Sequence, residues 1–251
     1  MLSKANIKYL HSLQLGKFRQ KFDRFIAEGN INVLDFIRGP LTIEKLYATE
    51  NWLEEHRIGV QHLPCESISQ HEMEKITALR NASEVLAIIK KPSTCLPDIN
   101  HINNYVLALD DIKDPGNMGT IIRTADWFGI HDIICSTETV DVYNPKVVQA
   151  SMGSLARVRV HYTSLATFFE NKPADLQLYG AVLDGEAIQS ITKAEKGILL
   201  IGSEAHGISQ SLYPFIDHRI RIPSAATSGA ESLNAAVATA LVCYAFINEV
   251  L

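Results

Sequence analysis

The sequence has few of the features that mark membrane or secreted proteins. None of its apolar runs reaches the roughly 20 residues that a membrane-spanning helix needs. The first residues lack the apolar core and the small-residue cleavage site of a signal peptide. We therefore expect a cytoplasmic protein with no membrane partner.

Cysteine is also scarce, and its spacing excludes the common zinc motifs. The chain has 4 cysteines among 251 residues. They are Cys65, Cys95, Cys135 and Cys243, they form no CxxC pair, and no histidine stands at metal-ligand spacing from them. This pattern predicts buried free thiols and no metal site.

The chain lacks the basic composition of a strong nucleic-acid binder, because its formal net charge is −5. The charge is unevenly distributed, however. Asp23 is the only acid among the first 24 residues, against six cationic residues, Lys4, Lys8, Lys17, Arg19, Lys21 and Arg24. Such a segment is either a surface that binds phosphates or a solvated helix face, and charge alone leaves both readings open.

No internal repeat or low-complexity segment is present, and the two halves of the chain differ in pattern. In the first half, helical spacing over residues 7–15 continues through Phe25 and Ile26. A further element starts at Asn32, and the pattern then predicts strands at 42–47 and 84–89 with a helix at 52–56. Residues 90–98 are polar, contain two prolines and read as a linker. We place the domain boundary near residue 97, which gives domains 1–97 and 98–251.

The second half alternates strands with helices. The predicted strands are 105–109, 132–135, 178–183, 197–201 and 219–222, and the predicted helices are 117–128, 145–152 and 232–250. This alternation predicts an α/β fold with a parallel sheet that helices cover on both faces. Ligands of such sheets bind beyond the carboxyl ends of the strands, so the residues that follow each strand are the candidate site.

The first candidate set follows strand 105–109 and runs from Asp114-Pro115 to Arg123. Gly119 lets the backbone approach a ligand, and Asn117 is predicted to cap the next helix. Arg123 is the lone cation in an otherwise apolar helical stretch. It is either a site residue or a side chain that reaches solvent along the helix.

The second and third sets follow the later strands. Gly202 and Gly207 bracket Glu204, whose carboxylate can accept hydrogen bonds, and we interpret His206 in the same turn as an exposed bystander. Further on, Ile222-Pro223 leads to Ser232-Leu233-Asn234 at the start of an alanine-rich helix, with Glu231 or Ser232 as its predicted cap. A purely structural interpretation, in which the polar residues cap the helix and the alanines pack against a neighbour, would also explain most of this third set.

Taken in order, the three sets resemble the motifs of the SpoU/TrmH group of the SPOUT RNA methyltransferases. Asn-x-Gly-x-x-x-Arg, Gly-x-Glu-x-x-Gly and Ile-Pro followed by Ser-Leu-Asn all recur. The segments Lys17-Phe18-Arg19 and Glu28-Gly29 are similar to that family's substrate-binding domain, so the resemblance spans nearly the whole chain. One departure is the loop between Pro223 and Ser232, which is longer than usual in the family.

The resemblance implies a fold, a cofactor and an assembly. It implies a C-terminal domain with a trefoil knot, a smaller N-terminal α/β domain that binds RNA, and a homodimer whose active site is completed across the interface. It implies S-adenosylmethionine (S-adenosyl-L-methionine) as the cofactor. The residues implied to bind the cofactor are Leu183, Gly202, Ser203, Ile222 and Leu233, and those implied to contact RNA are Lys17, Arg19 and Arg123.

The implied reaction is methylation of a ribose 2′-hydroxyl in RNA. Arg123 is then either the proton acceptor or an anchor for the adjacent phosphate, while Asn117, Glu204, Ser232 and Asn234 orient the reacting groups. Large ribosomal RNA of the 23S type is the first expectation for the substrate, and transfer RNA is the second. An inactive RNA-binding protein of the same fold is the alternative. A dinucleotide-dependent enzyme is disfavoured because no GxGxxG motif follows the first strand of either half.

Overall fold

The structure, a computed structural model, describes residues 2–93, 95–225, 227 and 229–247. Short 3₁₀ turns at Ile99–His101, Ser154–Ala156 and Gln210–Phe215 supplement the regular elements. In chain order, the helices and strands are α1 (Lys4–Ser12), α2 (Gly16–Phe22), β1 (Arg24–Glu28), α3 (Asn30–Arg38), β2 (Ile43–Ala48), α4 (Glu50–Glu55), α5 (Arg57–Val60), β3 (Cys65–Ser67), α6 (Gln70–Glu74), β4 (Val85–Lys90), β5 (Tyr105–Leu109), α7 (Pro115–Trp127), β6 (Asp132–Cys135), α8 (Pro145–Ala150), β7 (Arg159–Tyr162), α9 (Leu165–Glu170), β8 (Gln177–Ala187), β9 (Gly197–Ile201), β10 (His218–Arg221) and α10 (Ala235–Ile247).

The chain packs as two compact units. The N-terminal unit contains the residues up to Ser93 together with Asp141–Arg157, and the C-terminal unit contains residues 95–140 and 158–247. Helix α8 therefore belongs to the first unit, although it lies inside the second half of the sequence. The division into domains 1–97 and 98–251 stays a prediction.

The N-terminal unit is built on a four-stranded mixed sheet in the order β1-β4-β2-β3. Strand β4 is antiparallel to both β1 and β2, and β3 runs parallel to β2. The predicted continuation of helical spacing through Phe25 and Ile26 is wrong, because both residues lie in β1. Asp23 ends α2 in the left-handed conformation, and pairing of Phe25 with Ile89 then fixes the segment as a strand. A run of consecutive buried apolar residues has no periodicity that would distinguish a strand from a helix.

Arg19 joins separate segments of the N-terminal unit through its hydrogen bonds. Its side chain is buried, and its guanidinium lies 2.7 Å from the carboxylate of Asp141. It also donates hydrogen bonds to the carbonyls of Leu13 and Gln14 at 3.0 and 2.8 Å. These partners compensate for the burial of the guanidinium, because a buried charge without an ion pair and hydrogen bonds is strongly destabilising. In this conformation the Arg19 guanidinium stabilises the fold, whereas Lys17 is exposed, and the expected contact of Arg19 with RNA stays a prediction.

The C-terminal unit contains a six-stranded sheet in the order β10-β8-β9-β5-β6-β7. Every adjacent pair is parallel, which confirms the predicted parallel sheet. All residues of the central strands β5 and β9 are buried, as expected for a parallel sheet with both faces covered. The predicted strands 105–109, 132–135 and 197–201 are confirmed at their full lengths.

Other elements differ from the prediction in length or were not predicted. Strand β8 extends to Ala187, four residues past its predicted end, and the sequence did not indicate β7 or α9. Asn144 caps α8 with Pro145 in its first turn, as predicted. The predicted end of helix 232–250 lies outside the described residues, and the trefoil knot stays a prediction.

The four cysteines are free thiols, but not all are buried. Cys135 and Cys243 are buried, and burial raises the pKa of the Cys243 thiol to about 12. Cys65 is half-buried, and Cys95 is exposed, so the expectation of burial is wrong for Cys95. Among the described helices, none is both long and apolar enough to cross a membrane.

Asp132 at the start of β6 links this strand to its neighbour β7 through side-chain hydrogen bonds. Its carboxylate accepts two hydrogen bonds from Arg159 at 2.8 and 2.6 Å and lies 2.9 Å from Nε2 of the buried His161. Burial by itself raises the pKa of Asp132, but the hydrogen bonds from His161 and Arg159 outweigh it and hold the pKa well below its usual range.

We expect Asp132→Asn to lower the free energy of unfolding by about 2 kcal/mol, the value of hydrogen bonds to a charged group. Asp175→Asn, which removes an exposed pair with Lys196, should cost much less. A depressed folded-state pKa stabilises the protein above the unfolded carboxyl pKa, and this contribution is lost as pH falls through the folded-state pKa. The difference between wild type and Asp132→Asn, measured by chemical denaturation, should therefore narrow below about pH 4. An unchanged difference at low pH would contradict this account.

Candidate active site

The topology of the C-terminal sheet determines where its loops meet. The chain passes from β5 outward to β6 and β7, then returns on the other side of β5 with β8, β9 and β10. Strands β5 and β9 are neighbours, and Leu109 pairs with Ile201 at their carboxyl ends. Because the strand order reverses here, the segments that follow β5 and β9 border the crevice where open α/β sheets bind ligands.

Helix α7 begins after β5, and its cap differs from the prediction. Asp114 is the N-cap and accepts a hydrogen bond from the backbone N–H of Asn117 at 2.8 Å, while Pro115 occupies the first turn. The predicted cap at Asn117 is therefore wrong. Asp before Pro suits these two positions, because Pro has no N–H to leave unpaired and its φ angle is already helical. Asn117 lies in the first turn, with its side-chain amide free for other partners.

The turn after β9 brings its own backbone into close contact. Ser203 and Gly207 exchange two backbone hydrogen bonds of 3.0 and 2.9 Å, and Gly207 has a φ angle of +66°. A Cβ atom on Gly202 would lie 2.1 Å from the carbonyl carbon of Gly207, so only glycine fits there. The Ser203 side chain is buried and accepts from the N–H of His206 at 3.3 Å. This closed turn presents Glu204 at its exposed tip.

A residue that sequence reasoning missed ties this turn to β5. Asp110 directly follows β5, is buried, and accepts a hydrogen bond from the backbone N–H of Ser209 at 2.7 Å. The carboxylate of Asp110, which belongs to neither motif, thus connects the segment after β5 to the segment that follows the Gly202–Gly207 turn. An acid directly after a buried strand was the available signal, since charged residues are buried mainly when paired.

The start of α10 is capped by the third motif. The Asn234 side-chain oxygen accepts hydrogen bonds from the backbone N–H groups of Ala236 and Val237 at 3.0 and 3.3 Å. The predicted caps, Glu231 and Ser232, lie before the helix, so this part of the prediction is wrong. Capping uses only the oxygen of the Asn234 amide, and its nitrogen remains available as a donor.

The structure joins the three motifs through a chain of side-chain hydrogen bonds. The Asn234 amide nitrogen donates to the Asn117 side-chain oxygen at 2.8 Å, and the Asn117 amide nitrogen donates in turn to the carboxylate of Glu204. Asn117 is therefore the central member, with both ends of its amide used. We call Glu204, Asn117 and Asn234 the amide–carboxylate bridge.

Two predicted catalytic residues lie outside this bridge. Arg123 is exposed, six residues beyond Asn117 on α7, which places it about 120° around the helix from Asn117. Within the described part of the chain, neither the Arg123 guanidinium nor the Ser232 hydroxyl forms a side-chain hydrogen bond or ion pair. Both side chains are thus available to a bound molecule, but one chain does not bring them onto the bridge.

The residues implied to bind the cofactor lie around the same edge of the sheet. Gly180 of β8 pairs with Leu200 of β9, so Leu183 extends beyond the paired region at the carboxyl end. Leu183 has 71% of its surface exposed, and Leu233 beside the bridge has 46%. Ile222 follows β10 directly and is half-buried.

These positions fit S-adenosylmethionine. Exposed leucines can cover the apolar parts of a nucleoside, and the backbone of the Gly202 turn offers polar groups at close range because no side chain stands in the way. Two positions of the loop between Pro223 and Ser232, 226 and 228, lie outside the described residues. The structure as described contains no group of three or more His, Cys, Asp or Glu side chains that could hold a metal ion.

Comparison with protein-family models gives two matches that together span most of the chain. Residues 104–244 match the SpoU rRNA Methylase family. Residues 4–87 match the MRM3-like substrate binding domain.

Similar proteins match over nearly their whole length. The 23S rRNA (guanosine(2553)-2′-O)-methyltransferase RlmP of Bacillus subtilis is 27% identical, over 95% of this chain and 94% of that protein. An rRNA methyltransferase from Sinorhizobium meliloti, whose crystal structure has bound AdoMet (S-adenosylmethionine), is 28% identical in sequence. Its structure matches with a TM-score of 0.88 over 100% of this chain and 98% of that one. A TrmH-family protein from Porphyromonas gingivalis is 32% identical, with a TM-score of 0.88 and 99% coverage of both chains.

The close approach at Gly202 predicts the effect of a single methyl group. Gly202→Ala would place Cβ against the backbone of Gly207, so the turn must open or shift. We expect a loss of stability of about 1–3 kcal/mol, typical of overpacking, and a weaker affinity for S-adenosylmethionine, measured by chemical denaturation and calorimetry. Gly59→Ala is the matched control, because nothing lies within 4 Å of its Cβ position. Equal behaviour of the two variants would contradict the packing argument.

Proposed function

The chain belongs to the SpoU rRNA methylase family, and we propose that it is an S-adenosylmethionine-dependent RNA methyltransferase that acts on a ribose 2′-hydroxyl. The observation that carries this proposal is the amide–carboxylate bridge, which joins Glu204, Asn117 and Asn234 from three distant motifs at the topological switch point. The proposal is also supported by a relative of similar length that is named as a 23S rRNA 2′-O-methyltransferase.

The proposed chemistry requires a methyl donor and a way to remove a proton from the hydroxyl. When bound, S-adenosylmethionine supplies an electrophilic methyl group. Arg123 contributes a fixed positive charge rather than a base, because a guanidinium remains protonated in proteins. It is well suited to hold the phosphate beside the target ribose and to stabilise negative charge that develops on the oxygen.

The amide–carboxylate bridge contributes rigidity at the reaction site. With Asn117 held at both ends, Glu204 is fixed at the tip of its turn and Asn234 at the start of α10. Groups that are fixed before the substrate binds need no reorganisation during the reaction. Ser232, two residues before Asn234, is exposed, and we propose that its hydroxyl contacts the ribose or the cofactor.

We propose large-subunit ribosomal RNA as the substrate, with transfer RNA as the second candidate. The Bacillus subtilis relative is named for 23S rRNA, and it aligns with this chain through both units. In the N-terminal unit, the exposed Lys17 supports a contact with phosphate, whereas Arg19 does not because it is buried against Asp141. An RNA substrate also fits the expected cytoplasmic location.

We further propose that the enzyme is a homodimer. Helix α10 exposes an apolar stripe of Val237, Leu241 and Tyr244, at the spacing of one helix face. Trp127 at the end of α7 is 84% exposed, and α7 packs against α10. Exposed apolar side chains of this kind support the proposal of an interface. A second copy would also explain why Arg123 lies away from the bridge of its own chain: it would reach the site of the partner.

The alternative, an inactive RNA-binding protein of the same fold, is less well supported. Loss of catalysis would relax the need for a complete set of site residues, yet Asn117, Arg123, Glu204, Ser232 and Asn234 are all present. Three of them also hold the geometry described above.

Arg123→Ala tests the proposed role of the guanidinium. We expect methyl incorporation into ribosomal RNA to fall at least about 100-fold, the typical cost of losing a donor to a developing oxyanion. Affinity for S-adenosylmethionine should change little, because the implied cofactor residues lie elsewhere. The measurements are transfer of a radiolabelled methyl group and calorimetry, with the exposed Arg57→Ala as a control for loss of a surface charge. Near-normal incorporation by Arg123→Ala would refute this role.

Leu241→Glu tests the proposed dimer. A charge in the centre of the apolar stripe should shift the protein from twice the mass of one chain to a single chain in light scattering, since desolvation of an unpaired charge opposes association. Methyl incorporation should fall with it. Ile58→Glu is the control, because Ile58 is 88% exposed but lies in the N-terminal unit. A dimer that survives Leu241→Glu would place the interface elsewhere.

A further inference from the structure

A group of aromatic and lysine side chains covers one surface of the N-terminal unit. Tyr9 lies on α1, and Lys17, Phe18, Lys21 and Phe22 lie on α2. We call these five residues the aromatic–lysine surface. None of them belongs to the motifs around the amide–carboxylate bridge.

The rings of this surface are ordered against one another. Phe18 and Phe22 are one helical turn apart. Their ring centroids lie 6.1 Å apart, and the angle between the ring planes is 13°, so the rings are stacked. Tyr9 packs edge-on against Phe22 with centroids at 5.2 Å. Phe22 nevertheless keeps 36% of its surface exposed, and the other two rings are half-buried. The contacts therefore fix the rings in place while leaving part of the aromatic surface open.

Each phenyl ring has an ammonium group beside it. The Lys17 nitrogen lies 5.0 Å from the centroid of Phe18, and the Lys21 nitrogen lies 5.6 Å from that of Phe22. Both distances are within the range of cation–π attraction. The structure therefore combines, within one helix, two partly exposed aromatic rings and two positive charges that lie over them.

Both arginines of the first 24 residues are paired with carboxylates, whereas the lysines of this segment have no ion-pair partner in the part of the chain that the structure describes. Within the described residues, Lys4, Lys8, Lys17 and Lys21 form no ion pair, and neither α1 nor α2 has an acid in its first turn. The nearby carboxylate of Glu44 is paired with Arg24. The surface thus has positive charge available for a polyanion.

We propose that the aromatic–lysine surface binds an unpaired base of the RNA substrate, with Phe22 stacked on the base and Lys17 and Lys21 on the flanking phosphates. This inference rests on the proposed function, and it specifies the form of RNA that the N-terminal unit recognises. Stacking on an aromatic ring requires a base that has left the helical stack, so Phe22 contributes to the binding of loops and bulges and not to the binding of regular duplex. A solvated helix face would need the lysines but not the ordered, exposed rings.

The test compares two probes on the full-length protein: a fluorescein-labelled 10-nucleotide single-stranded RNA and the same sequence in a blunt duplex. Phe22→Leu keeps an apolar side chain against Tyr9 but removes the aromatic face. We expect it to weaken single-strand binding about tenfold, the range for loss of one stacked base, and to leave duplex binding unchanged. Phe22→Tyr should retain wild-type affinity. Ile58→Leu, in the same unit, is the matched apolar control.

The lysines have a separate signature. The double variant Lys17→Gln/Lys21→Gln should reduce the slope of log affinity against log salt concentration by about 1.4, because each single-strand phosphate that a lysine neutralises adds about 0.7 to that slope. Arg57→Gln should leave the slope unchanged. Thermal unfolding of each variant verifies that the fold is intact.

The outcomes separate this inference from the proposed function. If wild type methylates ribosomal RNA and Phe22→Leu raises the KM for RNA with kcat unchanged, the inference is supported. If Phe22→Leu binds single-stranded RNA like wild type, or loses single-strand and duplex binding equally, the inference is wrong even though the methyltransferase assignment stands. Absence of methyl transfer by wild type refutes the proposed function, while the two binding probes still decide the inference.

Discussion

The geometry of the candidate site depends on the double use of one side-chain amide, that of Asn117. Its nitrogen donates to Glu204 and its oxygen accepts from Asn234, so the turn after β9 and the start of α10 are both held against α7. This is possible because Asp114 caps α7 instead. If Asn117 were the cap, its oxygen would be directed at the backbone N–H groups of the first turn instead of at Asn234.

The parallel sheet places these three segments within reach of one another. The chain reverses its direction of travel across the sheet beside β5, so β9 becomes the neighbour of β5 although 87 residues of sequence separate Asn117 from Glu204. Two further contacts make the arrangement rigid. Asp110 holds the N–H of Ser209, and the missing side chain of Gly202 lets the turn close on itself. Fixed side chains around an open crevice are the condition for orienting a reacting hydroxyl.

Much of the fold followed from local pattern, and the failures have identifiable causes. Fully buried strands such as β5 and β9 were recognisable as short apolar runs bounded by turn residues. The segment at Phe25 was misread because a buried apolar run has no decisive period, and only pairing with β4 settles it. The ion pair between Arg19 and Asp141 was not predictable, because a cation gives no sign in the sequence of a carboxylate partner more than a hundred residues away.

Hydrophobic period, turn chemistry and spacing are enough to specify the parallel α/β class, the positions of the central strands and the identity of the motif residues. The folded arrangement places the Asn117 amide between two other motifs and gives the Asn234 amide both a capping and a bridging role. It also buried Arg19 and left Phe22 partly exposed beside Lys21. The physical reason is that hydrogen bonds and ion pairs between residues such as Asn117 and Asn234 form only after the sheet has brought their segments together, and no local pattern records that distance.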